Sequence, residues 1–283
     1  MNDFYAVVEG RFGAVEVRGI SHTLTHHAHA NWQMQYGYWI EGGTAHAQIG
    51  DVSAPYSEDF VVGINRYESH DFTLDDPKTS AVILELSLQQ SWLDEVQAEL
   101  GHPLVHAASS MASSPEIHKA ALQLMQSVQA PQLLDARTLE VAVIHLLRLT
   151  LHKASQTVRP LLLPQRRKLI DYRLRLALEY MQDPSVNVHS ITEVAKRVGL
   201  SRSRLYELFQ RELKSSPQVT WKSIRMLRTL QMMGGGGEDL AEVALKLGFS
   251  SAGNFTRYFR GVMGVTPSAY RKAQLKKRFN ERR

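Results

Sequence analysis

Apolar residues recur along this chain at two different periods, and the change of period divides it. From Phe4 to about Ser87 they come in short continuous or alternating runs: FYAVVEG, GAVEV, WQMQYGYWIEG, TAHAQIG, DFVVGI and SAVILELS. Turn signals at Gly42-Gly43, Gly50-Asp51 and Asp75-Asp76-Pro77 separate them. Short strands at such intervals predict a sandwich or barrel, here a small antiparallel β-barrel. Beyond Ser87 the period lengthens to that of helices. One is predicted from Gln89 to Leu100, and a second begins at Ser114, with Pro115 at its first position and Glu116 in its first turn. A third runs from about Leu134 to Lys153, with Leu139, Val143, Leu146 and Leu147 on one face. Residues 154–164, ASQTVRPLLLP, keep no period and contain two prolines, which suits a linker. Arg166 to Met181 then reads as an amphipathic helix with Leu169, Leu176 and Tyr180 turned inward.

From Ser190 to Tyr270 one pattern is written twice. Ile191, Val194, Ala195, Val198, Gly199 and Leu200 align with Leu240, Val243, Ala244, Leu247, Gly248 and Phe249 at a constant offset of 49. Past the glycine the offset is 50: Leu205, Phe209, Leu213 and Pro217 match Phe255, Phe259, Met263 and Pro267. Each copy predicts a short helix, a glycine that ends it in a left-handed conformation, and a second helix at once. Ser190 with Glu193 forms a capping box, and Ser201 and Ser250 are the expected caps after the turns. Leu205, Leu208 and Phe209, then Phe255, Phe259 and Val262, pack inward, leaving polar and basic outer faces. Between the copies Pro217 to Met233 is predicted as one helix, ended by the run Gly234 to Gly237. Two helices joined by a tight glycine turn, the second polar on its outer face, make a helix-turn-helix that lays its second helix in the DNA major groove.

ITEVAKRVGLSRSRLYELFQREL and LAEVALKLGFSSAGNFTRYFRGVMGVTPSAYRKA resemble the two halves of the DNA-binding domain of the AraC/XylS family of bacterial transcription regulators. The resemblance covers about 110 of the 283 residues, and the GFSS…NFTRYFR…GVTPSAYR run is its more specific part. It implies an α+β, two-domain protein. Residues 1–153 would form a cupin-like antiparallel β-barrel with flanking helices, for sensing and dimerisation. Residues 154–164 would be the linker and 165–276 an all-α domain with helix-turn-helix units at 190–213 and 239–263. A basic tail, 277–283, would follow. The implied function is a sequence-specific regulator, usually an activator, acting as a homodimer on double-stranded promoter DNA with RNA polymerase as partner. The helices after the barrel would supply the dimer contact or only cover the barrel. Gly253 departs from the family's usual polar residue, Lys214 from a turn glycine, and Thr220 from an aromatic position, with Trp221 beside it.

Charge sharpens the division. From Gln165 onward there are 24 Lys and Arg against 10 Asp and Glu; before it, 9 against 18. The basic half suits a polyanion, whose condensed counterions it would release, and the acidic half would be repelled by one. There is no cysteine, hence no disulfide, thiolate zinc site or cysteine nucleophile. No apolar run is long enough to span a membrane and no signal peptide is legible, so a cytoplasmic location is expected.

On the first recognition helix the outward residues near the N-terminal end are Arg202, Ser203, Tyr206 and Glu207. By resemblance Ser203, Tyr206 and Glu207 read bases, and Arg202 and Arg204 suit phosphates. Glu207 can accept from a cytosine amino group, unless it pairs with Arg204 or Arg211 on the helix surface. In the second copy Asn254 and Arg257 match base-facing positions, suited to adenine and guanine respectively, while Thr256 and Arg260 fit backbone contacts. In the acidic half, His26, His27 and His29 of THHAHANWQ, with His46 and His70 on later strands, resemble the metal set of cupin enzymes, but Gln33 stands where a glutamate ligand is normal. The alternative is that Trp32, Tyr36, Tyr38, His27, His29 and His70 surround a pocket for a small organic effector. No nucleophile elbow, phosphate-binding glycine loop or HExxH motif occurs. A catalytic residue, bound metal or cofactor is therefore not expected. The rival readings are a metal cupin enzyme with a basic tail and an architectural DNA binder that does not discriminate sequence.

Overall fold

The computed structural model describes residues 5–21, 26–30, 33–66, 68–100, 109–129, 135–157, 171–183, 186, 190–213, 215–234, 239–263 and 265–272. Trp32, Leu169, Lys214, Gly235 to Gly237, the remainder of the linker and the basic tail lie outside these, as do the side chains of His27 and His29.

The alternating N-terminal runs form strands β1 (Tyr5–Gly10), β2 (Gly13–Ser21), β3 (His26–Ala30), β4 (Met34–Gly42), β5 (Ala45–Ile49), β6 (Val52–Tyr56), β7 (Phe60–Ile64), β8 (Ser69–Leu74), β9 (Ser80–Leu88) and β10 (Ser110–Ala112). They make two antiparallel sheets, ordered β1-β2-β9-β4-β7-β10 and β3-β8-β5-β6. The expected barrel is thereby corrected to an open sandwich: among the described residues no strand pairing joins the two sheets. Alternation explains the layering. On β7, Val61 points to one face of the larger sheet and Val62 to the other. One face carries Tyr36, Tyr38, Leu84, Leu86 and Leu88 against three helices, α1 (Gln90–Leu100), α2 (Pro115–Gln129) and α3 (Ala136–Thr157). The other packs Ile20, Val62, Ile64 and Ile83 on Ala47, Ile49, Tyr56 and Phe72 of the smaller sheet.

Helix boundaries follow their caps. Ser114 Oγ accepts from the Ile117 N–H as predicted, at 3.4 Å. Asp135 starts α3 by accepting from the Thr138 N–H at 2.8 Å, a cap the sequence reading passed over. The helix then runs to Thr157, so residues 154–157, read as linker, extend α3; Ser155 Oγ–H is satisfied by the His152 carbonyl.

In the basic half, α4 (Tyr172–Gln182) starts at Asp171 and buries Leu174, Ala177, Leu178 and Met181; Leu176 and Tyr180, predicted inward, lie at the edge of that stripe. Helices α5 (Ile191–Arg197) and α6 (Arg202–Leu213) form the first repeat, α8 (Leu240–Lys246) and α9 (Ala252–Met263) the second, and α7 (Pro217–Gly234) joins them. Both turns close identically. The Gly199 and Leu200 N–H groups donate to Lys196 and Ala195, and those of Gly248 and Phe249 to Leu245 and Ala244. This is the Schellman pattern, with the glycines at φ +69° and +73°. Nothing lies within 4 Å of a Cβ placed on either glycine, so the left-handed backbone alone selects them.

Each repeat has its own core. The first gathers α4, α5, α6 and Ile224 of α7. The second gathers Met226 and Met233 of α7 with Val243, Ala244, Phe255, Phe259, Met263 and Tyr270, and it is completed by Val7 and Ala14 from β1 and β2. The second repeat is thus seated on the sandwich, where α7 and α9 also approach β3.

Candidate nucleic-acid interface and effector cavity

Both second helices turn their apolar residues into these cores, which leaves opposite faces in water. On α6, Arg202, Ser203, Arg204 and Glu207 are exposed and Tyr206 is half-buried. Ser201 Oγ caps the helix by accepting from the Arg204 N–H at 3.2 Å. The Arg202 guanidinium lies 5.5 Å above the Tyr206 ring, and Arg204 holds Glu207 at 2.6 Å. That pairing is the surface alternative set out for Glu207. It is solvent-exposed on both sides and contributes at most about 1 kcal/mol, so the approach of a base or phosphate can replace it. An open groove of about 660 Å³ runs along this face between Tyr206, Glu207, Gln210 and Arg211 and the start of α7 at Ser216.

On α9, Asn254, Thr256, Arg257 and Arg260 are all exposed. The cap is corrected here: Ser251 Oγ accepts from the Asn254 N–H at 3.1 Å, while Ser250 Oγ instead accepts from Asn254 Nδ2 at 2.7 Å. The offset of 50 beyond the glycine pairs Ser201 with Ser251, so the signal was present. Arg257 donates to Asn254 Oδ1. The two residues expected to face bases therefore hold each other in the free protein. Gly253 leaves open space: a Cβ there would meet only Ser251 Oγ, at 3.9 Å.

Of the residues expected around an effector, Tyr36, Tyr38 and His70 do not gather, while Trp32 and the side chains of His27 and His29 lie outside the described residues. Tyr36 and Tyr38 are buried on the helix-facing side of β4, Tyr38 bonded to Thr150 at 3.1 Å, and burial raises both phenols well above their ordinary range. They fill core instead of lining a pocket. His70 lies between the sheets and lines a cavity of about 30 Å³ together with Arg18, Tyr56, Asp71, Phe72 and Glu85. Burial holds the His70 imidazole down to about 4; its Nδ1–H donates to the Glu68 carbonyl at 3.1 Å. Among the described residues no three His, Cys, Asp or Glu side chains converge as a metal site.

What the sequence reading missed is a polar strip on this inward face. Arg18 binds Glu16 at 2.6 Å and reaches Glu85 at 3.6 Å, and Gln35 donates to Glu85 and, at 3.1 Å, to Ser87. Burial raises the Glu85 carboxyl, against the pull of Arg18. Cross-strand pairing puts Val7 opposite Glu16 and Glu9 opposite Ala14, so all four share that face. The strip continues to Glu9, which accepts from Tyr270 Oη–H at 2.8 Å. Burial, then the charges of Glu9 and Glu16, raise the Tyr270 phenol. One connected surface thus runs from the cavity to the second repeat. The alternation VEVR in β2 carries no signal for this, because it reads equally well as a solvated face.

Residues 194–273 match a family model described as a helix-turn-helix domain. Among curated proteins, the chain is 28% identical over 101 residues to the raffinose operon transcriptional regulatory protein RafR of Pediococcus pentosaceus, covering 36% of each chain. It is 30% identical over 82 residues to the Msm operon regulatory protein of Streptococcus mutans, covering 29% of this chain and 30% of that one. A putative AraC-like transcription regulator of Streptomyces antibioticus is 25% identical over 174 residues, 60% of this chain and 56% of that protein. The chain therefore spans about a third of the length of the first two. Among solved structures, ToxT of Vibrio cholerae aligns over 92% of this chain and 97% of its own, with TM-score 0.56 and 14% identity, a likeness of fold. Another ToxT structure, with unsaturated fatty acid bound, aligns with TM-score 0.54 at 13% identity, covering 96% of each chain. No helix among the described residues is long and apolar enough to cross a membrane.

Proposed function

From the premise that this chain carries an AraC-type helix-turn-helix domain, we propose that it is a sequence-specific DNA-binding transcription regulator whose sheet domain answers to a small effector. The observation that carries this is the doubled, identically closed helix-turn-helix, with α6 and α9 presenting polar, basic outer faces. Each helix enters a major groove. Asn254, Arg257, Ser203, Tyr206 and Glu207 read base edges, while Arg202, Arg204, Thr256 and Arg260 hold phosphates. The protein acts in the cytoplasm as an activator, contacting RNA polymerase, and works as a homodimer.

The effector is small and polar. The cavity between the sheets, about 30 Å³, is too small for the fatty acid bound in that ToxT structure, and within its mixed lining Arg18, His70, Asp71 and Glu85 supply the hydrogen-bonding groups. A cupin-like ancestry for the sandwich accords with a ligand seated between its sheets. Occupancy would compete for Arg18 and so disturb the strip that ends at Tyr270, biasing how the second repeat is held.

The test is selection from a random DNA pool by the purified full chain at stated salt, followed by sequencing. A bipartite motif with halves about one helical turn apart is expected. Retention without enrichment would identify an architectural binder, and no retention would remove the reading.

A further inference from the structure

The basic residues of the C-terminal half are not all directed at a polyanion, and two of them are used inside the protein. Arg225 and Arg228 lie three residues apart on α7, hence on one face of it. Arg225 donates through Nη2 to the carbonyl of Leu247, the C-cap of α8, at 2.7 Å. Its guanidinium is stacked between rings, 4.3 Å from the centre of Phe249 and 5.1 Å from that of Trp221. Phe249 in turn contacts Phe255 and Tyr258 of α9, at 5.4 and 5.1 Å. Arg228 donates through Nη2 to the carbonyls of Met181 and Asp183, at 3.0 and 2.6 Å, at the C-terminal end of α4. Each arginine therefore places a cation and a donor where a helix leaves its carbonyls unsatisfied. One grips the second repeat by its turn, and the other grips the first repeat's core through α4.

We propose that Arg225 and Arg228 are positioning residues that fix the relative orientation of the two reading helices, and so select the spacing between the two halves of the DNA site. The apolar contacts of α7 cannot do this alone. Ile224 belongs to one core and Met226 and Met233 to the other, and methionine packs adaptably. A planar guanidinium held by two rings and a carbonyl admits few orientations. With about 27 Å of helix between the units, a rotation of one about α7 shifts its reading helix along the groove without altering what that helix recognises. Spacing and base preference are then carried by different residues.

This rests on the reading of the chain as a bipartite DNA reader, and two measurements separate the two ideas. The first repeats the pool selection with full-length Arg225→Met and Arg228→Met. Both half-motifs are expected to persist with unchanged base preference. Discrimination between the best spacer and one a base pair longer or shorter is expected to fall about tenfold, equivalent to about 1.4 kcal/mol. Arg225→Lys keeps the charge but not the stacked plane, and its discrimination should fall between wild type and Arg225→Met. The second uses the absence of native cysteine. Spin labels at Gln210→Cys on α6 and Glu242→Cys on α8, both exposed, report the distance between repeats without DNA. A narrow distribution that broadens in Arg225→Met supports the positioning role even where the pool yields no motif, and in that case the DNA reading is what fails. Unchanged spacing selectivity in folded variants, or an unchanged distance distribution, overturns the inference.

Discussion

Thr220 occupies a site where its counterpart in the second repeat, Tyr270, carries a ring and a hydrogen-bonded hydroxyl. It is fully buried, and its Oγ1 has no partner. A desolvated hydroxyl without a partner is destabilising, so Thr220→Val, which keeps the shape, is expected to raise unfolding stability by about 1 kcal/mol in denaturant titration. A loss of stability would mean that the hydroxyl is satisfied. His70 makes a pH prediction. Its folded pKa, about 4, lies below the ordinary 6.5, so the unfolded chain takes up a proton in that window that the fold refuses. Its contribution is full above pH 6.5 and is lost as pH falls toward 4. Wild type minus His70→Asn, which cancels the opposite titration of Glu85, should show a difference that shrinks by roughly 3 kcal/mol across the window. A flat difference would show that the buried imidazole accepts its proton in place.

At the scale of elements, Arg257 and Glu207 are expected to behave oppositely. Arg257→Ala should relax base preference at one position of the site, worth about 1 to 3 kcal/mol; an equal loss on every sequence would make it a phosphate contact. Glu207→Ala should leave affinity for random DNA unchanged or higher, since it removes a charge that repels phosphate and frees Arg204. The reading helices were legible because the repeat is local: periodicity, Gly199 and Gly248 fix helix, turn and helix within some twenty residues. Caps were half legible. Ser114, Ser190 and Ser201 act as read, the Tyr180 hydroxyl donating to Glu193 at 2.7 Å was not foreseen, and Asp135 and Asp239 were passed over. Strand pairing was not legible, because alternation gives two faces without saying what covers them. Tyr36 and Tyr38 fell on the helix side and the ionic residues Glu16, Arg18 and Glu85 on the inward side, the reverse of what residue type suggests. Arg225 and Arg228 entered only the basic excess of their half for the same reason: nothing in the sequence names the carbonyls they meet.

Among the described residues of the whole molecule, the helix-turn-helix half meets the sheets at the seat formed by Val7, Glu9 and Ala14, with α7 and α9 also close to β3. Tyr270→Phe keeps the ring's edge contact with Phe259, at 5.6 Å, and removes the hydrogen bond to Glu9. Amide exchange in β1 and β2 should then quicken by up to about fivefold, corresponding to about 1 kcal/mol; unchanged protection would show that apolar packing alone holds the seat. That seat also dictates an order of assembly. Glu9 and Tyr270 are 261 residues apart. At roughly 5 to 20 residues per second, a ribosome finishes one about ten to fifty seconds before the other. Closing so long a loop adds little entropy beyond a shorter one, so delay is the larger consequence. Once β9 pairs with β2 the opening strands are held in a sheet with Val7 and Ala14 in water, and any nascent chain that stalls short of Tyr270 displays that patch to chaperones and proteases.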